Sequence, residues 1–371
     1  MIEPTLRVRS RLWPALAVVA LLLQLLLPYR GWTMLLVVLG LTWLVGYLWA
    51  RALMRGLKLT RQMRFGWAQV GDRLEERFRL VNQSWLPALW VELIDHSTLP
   101  GYAVSHATGV NALSQNEWRT QGVCTRRGIF TLGPASLRTG DPFGLFSVVI
   151  ADNAAATLVV MPQVVPLPAI EVAPGGRVGE GRRIRDSAEP TVSAARVRDY
   201  RQGDAAHWIH WRTSARRDAL FVRQFDNTPA GDWWITLDLN ADVQVGEGQD
   251  STLEHAIILA ASLAERGLRA GRAVGLVGES ASSLWLPPQL GDAQRWRILR
   301  ALTLAEAGSV SLYELLKHTS SAFRQAASLV LITADVSATW LESLVPLLRR
   351  GLVPTVLLLD PATFGGDGAA R

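Results

Sequence analysis

The chain has 371 residues, 49% of them hydrophobic, with fifteen tryptophans, one cysteine and a formal net charge of +6. That length holds two domains of roughly 100–200 residues and an anchor. The single cysteine, Cys124, excludes an intramolecular disulfide and suits a reducing compartment. The positive charge fits anionic lipid or nucleic acid, and lipid is the simpler partner because many of the charges flank apolar runs.

In chain order, Leu12 to Leu27 is an apolar run, and after Pro28-Tyr29-Arg30-Gly31 a second follows from Trp32 to Trp49. Each is slightly shorter than the roughly 20 residues that cross a hydrocarbon core, and Trp13, Tyr29, Trp32 and Trp49 extend each span into the interfaces. The expectation is a transmembrane helical hairpin. A cleaved signal peptide is the rival for the first run, but no small-x-small cleavage site follows it. Arg7, Arg9 and Arg11 precede the hairpin, Arg51, Arg55, Lys58, Arg61 and Arg64 follow it, and only Arg30 lies between. The positive-inside rule then places both termini in the cytoplasm, as a two-helix, multi-pass protein of the cell membrane.

From Val70 to about Pro166, short alternating stretches are broken by turn residues: Glu76 to Val81, Ala88 to Ile94, Gly128 to Leu132 and Thr157 to Met161. This texture predicts a β-sandwich-like domain. Turns are expected at Gly133-Pro134 and at Asp141-Pro142. A Pro/Gly/Arg-rich connector follows, and its glycines lack the Gly-Lys-Ser/Thr ending of a phosphate loop.

Arg196 to Phe225 packs seven arginines, two histidines, two tryptophans and three aspartates into one stretch. Gly203 predicts a turn, Asp204 an N-cap, and a short helix runs from Ala205 to Arg217. On that helix Trp208, Trp211 and Ala215 share a packing face, beside a stripe of Arg212 and Arg216. Ala219 to Phe225 alternates as an edge strand. His207 and His210 are three apart, yet no further histidine or cysteine has metal-site spacing. Ser214 lacks the glycine elbow of a serine hydrolase. Arginines interleaved with Tyr200, Trp208 and Trp211 suit phosphate and base stacking. The aspartates Asp199, Asp204 and Asp218 favour Arg-carboxylate pairs instead, which sets nucleic acid aside as the partner.

From Trp233 the chain alternates strand-like and helix-like runs. Strands are expected at Trp233 to Leu239, Ala273 to Val277, Leu329 to Thr333 and Val353 to Leu359. Helices are expected at Thr252 to Arg266, Ala293 to Leu304, Leu312 to His318 and Trp340 to Arg349. The alternation predicts a mostly parallel, Rossmann-type sheet with helices on both faces. Ligands of such sheets sit at the carboxyl ends of strands, which points to Asp238-Leu239-Asn240-Ala241-Asp242. Oxygen ligands at Asp238, Asn240 and Asp242 would suit Mg²⁺ or Ca²⁺, and the alternative is a carboxylate that caps a turn.

The pattern Arg198-x-Tyr200-x-x-Gly203-Asp204, then Ile209-His210-Trp211-x-x-Ser214-Ala215-Arg216, then Leu220-x-Val222-Arg223-x-Phe225 resembles the signature of the bacterial family known as domain of unknown function 58. Arg126 to Pro134 and Asp141-Pro142-Phe143-Gly144-Leu145-Phe146 are similar to a second patch of that family. The resemblance implies a membrane anchor, a β-rich domain and a von Willebrand factor A-like α/β domain, whose metal loop the Asp238 segment resembles with Asn240 and Asp242 in place of two serines. It also implies association with MoxR-type AAA+ ATPases. The expected organisation is a hairpin with basic flanks (1–65), a β-rich domain (66–166), a connector (167–195), the signature (196–228) and the α/β domain (229–371). The expected function is a cytoplasm-facing, non-catalytic scaffold on the lipid bilayer. Its partner-binding surface is drawn from Arg198, Tyr200, Gly203, Asp204, His210, Trp211, Ser214, Arg216 and Arg223. The alternatives are a divalent-metal enzyme using the Asp238 loop, or a phosphate- or nucleic-acid-binding surface on the arginines.

Overall fold

The computed structural model describes residues 4–173, 194–200, 209–217, 219–225, 232–280, 283–323 and 327–366. It divides into two units, Met1–Val165 with Leu299–Ala305, and Pro166–Ile298 with Glu306–Arg371.

The first unit opens with a strand, β1 (Thr5–Val8), and two apolar helices, α1 (Leu12–Leu26) and α2 (Arg30–Gly56). Of these, α2 is long and apolar enough to cross a membrane, and α1 is a shorter apolar helix of 15 residues. The second helix runs past the expected end at Trp49 to Gly56. Ala50 to Arg55 are good helix formers, and Ala50 and Leu53 are completely buried among the strands that follow.

Those strands are β2 (Leu57–Met63), β3 (Trp67–Gln69), β4 (Arg73–Asn82), β5 (Ala88–Asp95), β6 (His106–Val110), β7 (Ser114–Val123), β8 (Gly128–Leu132), β9 (Ala135–Gly140), β10 (Phe146–Asp152) and β11 (Ala156–Met161). They form three sheets, ordered β1-β10-β9-β5-β6, β2-β4-β7 and β3-β11-β8. Strict alternation in β4 buries Leu74, Glu76, Phe78, Leu80 and Asn82 and turns Arg73, Glu75, Arg77 and Arg79 outward. Phe78, Leu80, Leu93, Leu132, Leu137 and Leu158 make a shared core, each fully buried side chain stabilising by about 1.5–3 kcal/mol.

Two features depart from expectation. The basic stretch after the apolar runs is not all flank, because Leu57–Met63 pairs antiparallel with β4. Its Arg61 is buried, bonded to both oxygens of Glu76 and to Asp95 at 2.9 Å, so it contributes no charge to a membrane surface. Thr5–Val8, ahead of the first helix, is a strand paired with β10.

Beyond Pro166 the described elements are β12 (Ala194–Asp199), α3 (Trp211–Arg217), β13 (Phe221–Phe225), β14 (Trp233–Leu237), α4 (Thr252–Arg269), β15 (Val274–Glu279), β16 (Ser283–Gln289), α5 (Asp292–Thr303), α6 (Leu312–Thr319), β17 (Ser328–Thr333), α7 (Val345–Arg349) and β18 (Thr355–Leu358). The mixed sheet runs β16-β15-β14-β17-β18, parallel except for β16. Central β14 is buried at every position. The sequence gives no strand signal at Ser283–Gln289 because Pro287 and Pro288 interrupt it, and an edge strand tolerates both. The helix expected at Trp340 to Arg349 is a 3₁₀ turn, Thr339–Leu344, leading into α7, where Pro346 in the first turn needs no N–H partner.

Candidate functional site at the carboxyl edge and the arginine-rich signature

At the carboxyl edge of the mixed sheet, β14 and β17 are adjacent and parallel, with Leu237 opposite Ile332. The next residues, Asp238 just past β14 and Thr333 at the end of β17, lie side by side. The Asp238 carboxylate is buried; one oxygen accepts from the Thr333 hydroxyl at 2.6 Å and the other from the Asn240 amide at 3.1 Å. Burial pushes the Asp238 carboxyl above its ordinary range and the nearby Asp335 charge adds to that, against the opposing pull of the two hydrogen bonds. Thr333 Oγ1 in turn accepts from the Asp335 amide at 2.9 Å, so one hydroxyl ties two loops together.

The loop after β14 is held by its own polar groups. Asn240 Oδ1 accepts from the Asp242 amide at 3.2 Å, and Gln244 donates to the Asp238 carbonyl at 3.1 Å. Thr252, at the start of α4, donates to Gln244 Oε1 at 2.7 Å. Asn240 also bridges Gly308 in parallel. Asp238 and Asn240 turn their oxygens onto a hydroxyl and loop amides, Asp242 is exposed, and among the described residues no three His, Cys, Asp or Glu side chains converge on one point. Chemically the arrangement is a clasp that fixes two exposed loops at the sheet edge.

The signature is a two-stranded antiparallel ribbon with a helix between its strands. β12 pairs with β13, placing Arg198 opposite Val222 and Asp199 opposite Phe221. Ile209 bridges the buried Val222, and the His210 amide donates to the Phe221 carbonyl at 2.8 Å. The expected helix from Ala205 therefore excludes Ile209 and His210, which are spent on the ribbon, and α3 starts at Trp211. His210 opens that helix: its carbonyl accepts from the Thr213 and Ser214 amides, and its Nδ1 lies 2.7 Å from Thr213 Oγ1. Ser214 is buried, donates to the His210 carbonyl at 3.1 Å and accepts from the Phe221 amide at 2.9 Å. His210 and Ser214 are thus structural knots.

The expected packing face is not buried at its described members: Trp211 is 67% exposed and Ala215 is exposed as well, and the helix is tied to the ribbon through Ser214 instead. Tyr200 and Arg216 are also exposed, while Arg217 lies over the Phe221 ring at 5.5 Å. Gly203 and Asp204, with His207 and Trp208, lie outside the described residues, as do the side chains of Arg198, Arg212 and Arg223. The expected Arg-carboxylate pairs fall largely on these positions.

Sequence reasoning missed the polar cluster in the first unit. Tyr102 donates to Glu76 beside Arg61, and burial, then that hydrogen bond, pushes the phenol far above its ordinary range. The legible signal was Glu76, which shares its strand face with Leu74, Phe78 and Leu80.

Residues 196–364 match the family described as "Protein of unknown function DUF58". A curated relative, the uncharacterized protein YeaD of Bacillus subtilis, is 28% identical over 112 residues, or 30% of this chain; the chain spans about a quarter, 26%, of that relative's length. Among solved structures, the CARDB domain of a Pyrococcus furiosus protein is 10% identical with a TM-score of 0.22, covering 29% of this chain and 96% of that one. The alkylpurine DNA glycosylase AlkC of Pseudomonas fluorescens is 14% identical with a TM-score of 0.20, covering 40% of this chain and 42% of that one.

Proposed function

We propose that this chain is a membrane-anchored scaffold that carries its β-rich and α/β domains in the cytoplasm and binds protein partners without catalysing a reaction of its own. The observation that carries this reading is the Asp238–Thr333 clasp. It occupies the edge where a sheet of this kind places its ligands, and it commits the buried carboxylate to holding loops. The rim it supports, with Asp242 and the loop after Asp335, is exposed and suited to contact. A sheet ordered β16-β15-β14-β17-β18 supports the von Willebrand factor A-like description, in which that rim is the docking end.

Both apolar helices cross the bilayer in this reading, with Arg30 on the outer side. Arg7, Arg9, Arg11, Arg51, Arg55, Lys58 and Arg64 are all exposed and stay on the inner side. The partner is a MoxR-type AAA+ ATPase. The test is direct binding of the purified ATPase from the same cell to the full chain in lipid nanodiscs, beside Asp242→Arg. The expected result is binding that weakens at least ~10-fold in the variant, equivalent to about 1.4 kcal/mol. No binding to wild type removes the partner, and equal binding to both removes the docking edge.

A further inference from the structure

The turn Asp141-Pro142-Phe143-Gly144-Leu145-Phe146 joins β9 to β10, and its placement assigns it a role that the scaffold reading leaves open. Asp141 is buried and accepts from the Phe143 amide at 2.9 Å and the Phe146 amide at 2.6 Å, which fixes the turn from inside. The turn lies directly against α2. A Cβ built on Gly46 would come within 3.3 Å of Asp141 Oδ2 and of the Leu145 side chain, tighter than an ordinary contact, so glycine favours the close approach of helix and turn. Phe146 packs edge-on to Trp43 with ring centroids 4.9 Å apart, and Tyr47 meets the same ring at 5.9 Å. On its other side the turn receives the chain entering α1, whose Arg9 amide donates to the Leu145 carbonyl at 2.8 Å.

The helix itself gives the height of this contact. At about 1.5 Å per residue, the roughly 20 residues that cross a hydrocarbon core carry α2 from Arg30 to about Trp49. Beyond that point Ala50, Leu53 and Gly56 are buried in the domain, whereas Leu44, Val45 and Leu48 are still 51%, 43% and 50% exposed on the free face. Gly46 therefore sits at the inner boundary of the span, and the turn is held there with it. Phe143, at its tip, is 49% exposed, and the segment that borders the turn carries exposed Arg9, whose amide bonds the Leu145 carbonyl, and exposed Arg7, opposite Ser147. An exposed aromatic tip beside a basic segment at that height matches the composition of a membrane–water interface.

We infer that Phe143 is an interfacial membrane anchor, seating the β-rich domain against the inner leaflet through the Asp141–Phe146 turn. The inference rests on α2 spanning the bilayer. A second exposed apolar site in the same domain gives the contrast. Leu113 is 75% exposed, and its amide donates to the carbonyl of Ser84, the residue that packs on Gly56. Gly56 lies ten residues beyond Gly46, or about 15 Å further from the membrane along the helix.

The test places a nitroxide label on the full chain in lipid nanodiscs at Phe143→Cys, Leu113→Cys or Met34→Cys, with the unsubstituted chain and its buried Cys124 as blank. Relaxation by oxygen, which partitions into lipid, is compared with relaxation by a water-soluble nickel chelate. The expected oxygen-to-nickel ratio at 143 is several-fold above that at 113 and below that at 34. A ratio at 143 equal to that at 113, while 34 reports lipid, overturns the anchor and leaves the span standing. A water-like ratio at 34 removes the span itself. Spin–spin broadening at 143 shows a second copy of the chain on this tip, and also overturns the proposal.

Discussion

The hydroxyl of Thr333 donates to the carboxylate of Asp238 at 2.6 Å across neighbouring parallel strands, while accepting from the amide of Asp335 at 2.9 Å. Replacing it with valine keeps the shape and removes both bonds, leaving a buried carboxyl oxygen and an amide without that partner. Such a loss costs about 1–3 kcal/mol. Thr333→Val should lower the unfolding free energy of the α/β unit by that amount in urea titration. An unchanged midpoint would show that the clasp is incidental.

The raised Asp238 carboxyl has a consequence in acid. Its folded value lies above the ordinary 3.8, so folding takes up a proton. The stability tied to it is fully present below the ordinary carboxyl value and is lost as pH rises through the folded one. Asp238→Asn carries no such proton. Melting temperatures measured from the ordinary carboxyl range to neutrality should show wild type losing stability relative to the variant as pH rises. Parallel curves would contradict the burial argument.

Divalent ions provide a separate check on the clasp. A cation held by Asp238 would stabilise the folded state, increasingly with the logarithm of its concentration above the dissociation constant. With the carboxylate oxygens already bonded to Thr333 and Asn240, added Mg²⁺ or Ca²⁺ should leave the melting temperature of wild type and Asp238→Asn equally unmoved. A rise confined to wild type would restore the metal loop.

Much of this architecture is written in local pattern. The apolar runs, the alternation in β4 and the β/α rhythm beyond Trp233 each reflect a periodicity that burial imposes on adjacent residues. What escaped was set by distant partners. Arg61 reads as a flanking charge until Glu76 and Asp95, from other strands, surround it. Trp211 reads as a packing residue, yet it is Ser214, bonded to the distant Phe221 amide, that ties this helix down while Trp211 stays exposed. Asp238 was legible as the site because it ends a buried strand. Its partner Thr333 lies 95 residues away, and only the sheet order brings the two together.

The Arg61 cluster predicts a larger loss than the clasp. Arg61 is buried with Glu76 and Asp95, and its guanidinium also reaches Ser97 at 3.1 Å. Arg61→Met fills similar space but leaves two buried carboxylates without their cation, and breaking a buried pair in this way costs about 3–5 kcal/mol. Thermal unfolding of the full chain should therefore show the β-rich unit melting well below wild type. Arg79→Met, at an exposed pair with Glu117 2.5 Å away, is the control and should change stability by less than about 1 kcal/mol.

Ser214 tests whether the signature is a rigid unit or an active surface. Its hydroxyl joins the His210 carbonyl, at the start of α3, to the Phe221 amide, at the start of β13. Without it the Phe221 N–H loses that acceptor, and the ties described between helix and ribbon are the His210 backbone bond and the Arg217–Phe221 contact. A lost hydrogen bond of about 1 kcal/mol corresponds to roughly five-fold faster local opening. Ser214→Ala should show that acceleration at the Phe221 amide in hydrogen exchange, with the mixed sheet unaffected. If Ser214 were instead a nucleophile held in place by other contacts, exchange at Phe221 would stay at the wild-type rate, and the signature would have to be treated as chemistry rather than structure.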